Sequence, residues 1–308
     1  AAVIGPILSL EASPLLNDLL LETTNELQYP NSTVTLYDHF MDKAGGKIGT
    51  LGSGSDFTVF LEHLGIPSVD LNFGNDPTKS SVYQYHSLYD SYYWMSKFGD
   101  PGFVFHNMMA KYISLLVLHL SDEPVLRLRT HNYAVELQKY YHDLEIPSQW
   151  WNQTQGKHCG HGGSPSKESF ETKKKYHPLK KLIKKVDKKM QVLELKTAEF
   201  DDYLWELVDM YDHWDSLTYW QRIKLYFKTK GANSVLQYFE RHFLDHKGLN
   251  NRPWFKHVVY ASGRYTGYKG QELPGLAEAI EDYNLDDFTE RLGKLSEILH
   301  TLLRMCSL

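Results

Sequence analysis

Cysteine is scarce: there are two in 308 residues, Cys159 and Cys306. That count excludes a disulfide framework, and nothing in the sequence places the two thiols together. Long apolar runs are missing as well. The longest candidate, Tyr112 to Leu120, falls far short of the roughly 20 residues that a membrane-spanning helix needs. Positive charge does not dominate either. With 33 Lys and Arg against 38 Asp and Glu, the formal net charge is −5, which argues against a general nucleic-acid binder. HExxH, GxxxxGKS/T and paired CxxC motifs are all absent, so the common helical zinc, phosphate-cradle and zinc-ribbon signatures are excluded. The chain starts at Ala1 without the basic, apolar and small-residue succession of a signal peptide. It is read as processed, or as a piece of something longer.

What is present is ordinary globular composition, 42% hydrophobic and 23% charged, enough for one large domain or two smaller ones. In the first half, helix and strand signals alternate. Ser13-Pro14 reads as an N-cap with proline at the first helical position, and Leu15, Leu16, Leu19 and Leu20 supply an apolar face, so a helix is expected from Pro14 to Leu27. The stretch LGSGSDF reads as a loop feeding a helix over Phe57–Leu64, capped by Ser55 or Asp56. Gly65-Ile66-Pro67 ends that helix, and Ser68–Phe73 follows as a strand. Asp100-Pro101 opens another helix running to about Leu120. This alternation predicts an α/β layer up to residue 150.

Beyond a polar stretch from 151 to 175, nearly everything has helical period. Leu179, Leu182, Ile183, Val186 and Met190 share one face, and segments at Glu199–Tyr211, Ser216–Phe227, Ser234–Phe243 and Leu285–Leu303 follow suit. Residues 176–308 are therefore expected to be all-helical. The lysine-rich run from Lys173 to Lys189 reads as a solvated helix face, with an acidic partner or an anionic membrane surface as the alternative. His158-Cys159-Gly160-His161 offers three metal-binding side chains, but in a Gly- and Ser-rich loop it reads as an insert. Two sequons, Asn31-Ser32-Thr33 and Asn152-Gln153-Thr154, are glycosylation acceptors if the protein enters the secretory pathway.

The stretch YQYHSLYDSYY, Tyr83–Tyr93, surrounds His86 with five tyrosines. One histidine alone makes no zinc site. However, LGSGSDFTVFLEHLGIP, YQYHSLYDSYYWMSKFGDPGF, NYAVELQKYY and RPWFKHVVYASGRYTGYKGQELPG, in this order and at similar spacing, resemble the glutamate carboxypeptidase II and transferrin receptor family, closest to its fungal vacuolar protein sorting members. The resemblance covers nearly the whole chain. It implies the end of a zinc-peptidase α/β domain over 1–150 and a helical dimerisation domain over 176–308. It makes His86 a zinc ligand and Tyr85 a catalytic donor to the tetrahedral intermediate. Gly54, Ser55 and Tyr268 line the substrate cleft. Glu11, in EASPLL, stands where the family has a ligand aspartate, and reads equally as a surface acid before a helix.

The departures from the family matter too. Asp70 and Asn72 replace two arginines of glutamate carboxypeptidase II, Gly267 replaces a lysine, and Ser55 replaces an asparagine, so specificity for C-terminal glutamate does not carry over. The remaining zinc ligands and the catalytic glutamate have no counterpart here. The resemblance thus implies a piece of a zinc exopeptidase that is inactive alone and binds no zinc tightly without the rest. It further implies a homodimer, a peptide substrate, a luminal or extracellular place in the secretory pathway or on the vacuolar membrane, and an anchor outside this sequence. The rival expectation is a non-catalytic sorting or receptor protein working through its helical domain.

Overall fold

The structure, a computed structural model, describes the backbone of residues 1–150 and 167–307 and the side chains of 1–150 and 179–307. Asn152, Cys159 and the His158–His161 cluster lie outside the described residues. The first part holds a three-stranded sheet in the order β1 (Ala2–Val3), β3 (Val69–Gly74), β2 (Ile7–Ala12). β3 pairs in parallel with β1 and antiparallel with β2, Leu8 opposite Phe73 and Leu10 opposite Leu71. These four side chains are buried, which is the one-sided alternation that pins register.

Around the sheet lie α1 (Asn17–Asn25), α2 (Leu36–Ala44), the short α3 (Tyr92–Trp94), α4 (Val104–Asp122) and α5 (Thr130–His142). Local chemistry sets the boundaries. A reciprocal Thr35–Asp38 capping box starts α2, and Gly45 in the left-handed region ends it. The helix expected to open at Asp100-Pro101 starts three residues later, at Val104 behind a left-handed Phe103, and Asp100 serves it from outside by accepting hydrogen bonds from the Val104 and His106 backbone N–H groups at 3.0 and 2.9 Å.

The second part contains α6 (Lys167–Asp212), α7 (Tyr219–Phe239), β4 (Tyr260–Ser262), β5 (Gly270–Glu272), α8 (Pro274–Glu281) and α9 (Leu285–Met305). Two expectations are corrected here. The stretches read separately as Leu179–Met190 and Glu199–Tyr211 form one continuous helix, which also absorbs the last residues of the 151–175 linker. The reason is visible in α6: Val186, Met190, Leu193, Thr197, Phe200, Leu204 and Leu207 are all buried at alternating spacings of four and three, an uninterrupted heptad seam. α9 carries a matching series, Phe288, Leu292, Leu295, Leu299 and Leu302, and the two helices pack extensively on each other. Similarly, Ser216–Phe227 and Ser234–Phe243 merge into α7, with a 3₁₀ turn over Glu240–Phe243. The second correction is that this region is not wholly helical. β4 and β5 form an antiparallel hairpin.

A single hydrophobic cluster runs from Leu8 through α5 and α6 to Cys306, so the two parts share a core. Cys306 is buried as a free thiol, pushed up to about 12 by that burial. Two polar nodes tie the parts together. Asp201 of α6 accepts from the Thr130 and His131 N–H groups and the Thr130 hydroxyl, each at 2.9 Å, capping α5 from another helix. At the second node, the fully buried Glu240 accepts from Ser13 Oγ, from Tyr133 Oη at 2.9 Å and from His257 Nε2 at 3.0 Å. Ser13 was expected to cap the following helix with its side chain. It makes no such bond and reaches Glu240 instead.

Tyr133→Phe should therefore cost ~1–3 kcal/mol in urea unfolding, because one donor to a buried carboxylate is lost. Glu240→Ala should cost more, since it strands three buried donors at once. A Tyr133→Phe midpoint equal to wild type would show that this carboxylate does not depend on its donors.

Candidate active site

Tyr83–Tyr93 forms an exposed, turn-rich segment rather than a buried ligand cluster. His86 sits at φ 54°, a left-handed conformation that costs a non-glycine residue of order 1 kcal/mol and concentrates at functional sites. Its ring stacks on that of Tyr85 at 3.7 Å, and Tyr85 is itself exposed. Tyr83 donates to Asp90 at 2.6 Å. That bond holds the phenol proton and pushes the Tyr83 pKa up to about 12.

Glu11 lies on β2, half-buried, directly across the ladder from Asp70. Burial first, and the Asp70 charge second, raise its pKa. Two facing carboxylates are a cation-favouring pair. Among the described residues, however, no group of three or more His, Cys, Asp or Glu side chains converges. No hydrogen bond or ring contact among them joins His86 to Glu11 or to Tyr268. The described residues do not by themselves fit a zinc ion.

The substrate-loop residues are brought together. The segment between β4 and β5 folds back onto Gly52–Ser55. Ser53 N–H donates to the Tyr268 carbonyl at 3.0 Å, and Ser53 Oγ donates to the Gly267 carbonyl. A Cβ on Gly52 would lie 1.8 Å from Tyr268 O, and one on Gly54 would lie 2.7 Å from the Tyr268 ring. Thr50 Oγ1 donates to Glu272 at 2.8 Å and completes the seam. Ser55 enters through its backbone, whose carbonyl accepts from Thr58 N–H, at the start of a π-helical turn over Val59–His63. Gly267, at φ 72°, occupies a conformation in which a lysine side chain would be strained. Ser53, Gly52 and Thr50 escaped the sequence reading. The glycine spacing on both loops was the signal for the close approach.

Asn31 is exposed in the turn between α1 and α2, at φ 55°, so the sequon asparagine is accessible.

Gly52→Ala should unseat the Tyr268 loop, with amides around residues 263–270 losing hydrogen-exchange protection by tenfold or more, about 1.4 kcal/mol. Gly231→Ala, inside α7 with nothing within 4 Å of the added Cβ, should instead stabilise by ~0.5–1 kcal/mol. Unchanged protection in Gly52→Ala would contradict the docked loop.

Comparison with known proteins is consistent with this arrangement. Residues 175–305 match the model of the transferrin receptor-like dimerisation domain. A probable glutamate carboxypeptidase of Arthroderma benhamiae is 30% identical over 97% of this chain and 36% of its own length. A probable glutamate carboxypeptidase of Arabidopsis thaliana is 31% identical over 91% of the chain and 34% of its own. Vacuolar protein sorting-associated protein 70 of Saccharomyces cerevisiae is 26% identical over 94% and 34%. The chain thus spans about a third of the length of these relatives. On these matches, and with its motifs in the expected order, the chain belongs to the glutamate carboxypeptidase and transferrin receptor family and carries the family's dimerisation domain.

Proposed function

We propose that this chain supplies one wall of the substrate cleft, and the dimerisation surface, of a zinc-dependent exopeptidase of the glutamate carboxypeptidase type. The observation that carries this is the docking of the Tyr268 loop on Gly52–Ser55. A segment from the helical part returns to a glycine-rich loop, and exposed backbone polar groups next to an aromatic ring suit the end of a peptide. In this reading His86 and Glu11 are zinc ligands that need others to complete the set, and Tyr85 donates to developing oxyanion charge. The substrate end is not an acidic residue held by arginines, because Asp70, Asn72 and Gly267 stand at the relevant positions. Membership of the secretory or vacuolar pathway follows from the same kinship, and Asn31 is then a glycosylation site on the luminal face.

A second reading, a sorting protein that keeps the fold without catalysis, is favoured by the lack of a converged ligand group among the described residues and by the name of the yeast relative. Zinc titrated calorimetrically into the 308-residue chain should bind no better than to its His86→Ala variant. In a longer protein containing this chain, His86→Ala should abolish peptidase activity and Tyr85→Phe should lower kcat about a hundredfold. No zinc-dependent peptide hydrolysis in that longer protein would leave the sorting reading standing.

The dimerisation domain implies a two-fold pair. Among the large apolar residues of these helices, Leu204, Leu207 and Leu225 are core, whereas Trp205, Trp214 and Trp220 are exposed. α7 adds Tyr219, Tyr226 and Phe227, so Trp220 and Phe227 form a stripe seven residues apart. Trp220→Glu with Phe227→Glu should convert the dimer to monomer in light scattering while leaving thermal unfolding nearly unchanged. A wild type that is monomeric at high concentration would contradict the pairing.

A further inference from the structure

Glu62 is the one acid whose burial the fold does not answer with donors among the described residues. It sits on the π-helical turn Val59–His63 and is fully buried; the Ser262 N–H and Arg252 face its carboxylate, but neither oxygen has a donor at full hydrogen-bonding geometry among the described residues. Its backbone carbonyl accepts from the N–H groups of Lys256 and His257 at 2.9 and 3.0 Å. The turn is thus pinned to the strand-like segment leading into β4, and Gly65 at its end approaches Arg241 closely enough that a Cβ would lie 2.9 Å from the Arg241 Cα.

The charged groups around it are committed elsewhere. Arg252 holds Glu278 and donates to the Ser262 carbonyl at 2.8 Å, while its Nε is buried without an acceptor. Glu278 of α8 also takes Arg264 at 3.4 Å. His63 Nδ1 lies 2.8 Å from the Trp254 carbonyl and its Nε2 3.3 Å from Lys256 Nζ. His257 is committed to Glu240 at 3.0 Å.

We propose that Glu62 is a proton-operated latch. Protonated, it keeps the Val59–His63 turn docked against the Arg252–Ser262 segment; ionised, it undocks that turn and loosens the adjoining Gly52–Ser55 loop from Tyr268. A buried carboxylate without well-made hydrogen bonds is costly when charged, and the nearest cation, Arg252, is already shared between Glu278 and the Ser262 carbonyl, with only its Nε left over. This inference is independent of the proposed peptidase role, since it concerns only loop docking.

Burial carries the Glu62 pKa from 4.5 in the open chain to about 8, against the smaller pull of Arg252 and the Ser262 amide. The docked state therefore binds the extra proton between those values, and its advantage falls as pH rises through that window. One proton is linked to opening. The opening constant of residues 57–65 should thus rise up to about tenfold per pH unit there and level off above about pH 8.

Native-state hydrogen exchange of the whole protein at pH 6, 7, 8 and 9, corrected for intrinsic rates, reads this directly. Wild type should lose protection with pH at 57–65 and 267–270 but not along α6 and α9, and Glu62→Gln should remove the pH dependence. The same slope in Glu62→Gln overturns the proposal. If that variant does not fold, carboxyl carbon NMR on wild type decides: one glutamate titrating near pH 8 supports the latch, and none titrating above pH 6 overturns it.

Discussion

The position of the first part on the second depends on one buried carboxylate. Glu240 ends α7, and its three donors come from three other places: Ser13 just after β2, Tyr133 in the first turn of α5, and His257 just before β4. The histidine tautomer follows from geometry. His257 Nδ1 accepts from the Val259 and Tyr260 N–H groups, both at 3.1 Å, so the proton is on Nε2 and points at Glu240. Three neutral donors then share one negative charge in a site closed to water, where a missing donor costs more than at the surface. Tyr133 pays part of this: burial and the Glu240 charge push its phenol far above the usual range. Within the first part, the Arg129 N–H bond to the Leu15 carbonyl, at 3.0 Å, ties the start of α5 to the segment that follows Ser13.

Local order was legible because its causes are local. The Asp100 cap, the Pro14 start, the strand after Pro67 and the apolar period of α9 all lie within a few residues of what they determine. The long α6 was legible only in parts, because Gln191–Ala198 carries lysine, glutamate and threonine that dilute the apolar signal, although Leu193 and Thr197 keep the seam. What could not be read was chemistry between distant residues. Ser13 and Glu240 are 227 positions apart, and Ser13 had a sufficient local reading as a cap. Asp201 looked like an ordinary acid on a helix that is polar elsewhere, yet it caps α5. The β4–β5 hairpin was hidden because three-residue strands carry almost no period.

The candidate site divides along the same line. Gly54, Ser55 and Tyr268 were found through resemblance, and the close approach around Gly52 and Gly54 gives their position a steric cause. His86 and Tyr85 were found the same way, but here the structure offers a stacked pair on an exposed, strained turn and no further ligand among the described residues. A family motif specifies a backbone position with more certainty than it specifies a partner. The glycine loop needs only this chain to be built, whereas a metal site needs every donor at once.

The two buried glutamates at the junction show how this fold distributes its polar risk. Glu240 is surrounded by donors and serves as a fixed point. Glu62, whose carbonyl bonds the residue beside Glu240's own partner His257 as well as His257 itself, has no donor at full hydrogen-bonding geometry on its carboxylate among the described residues. A fold that only needed rigidity here would be served by an apolar residue at position 62, because a well-packed aliphatic side chain avoids the desolvation cost altogether. Placing an acid there makes the attachment of the Val59–His63 turn depend on a proton. The glycine-rich loop lies on the side of that turn facing Tyr268, so it inherits the conditional attachment. The heptad seam of α6 and α9, held by apolar burial and by the Lys189 ammonium on Ser296, stays outside it.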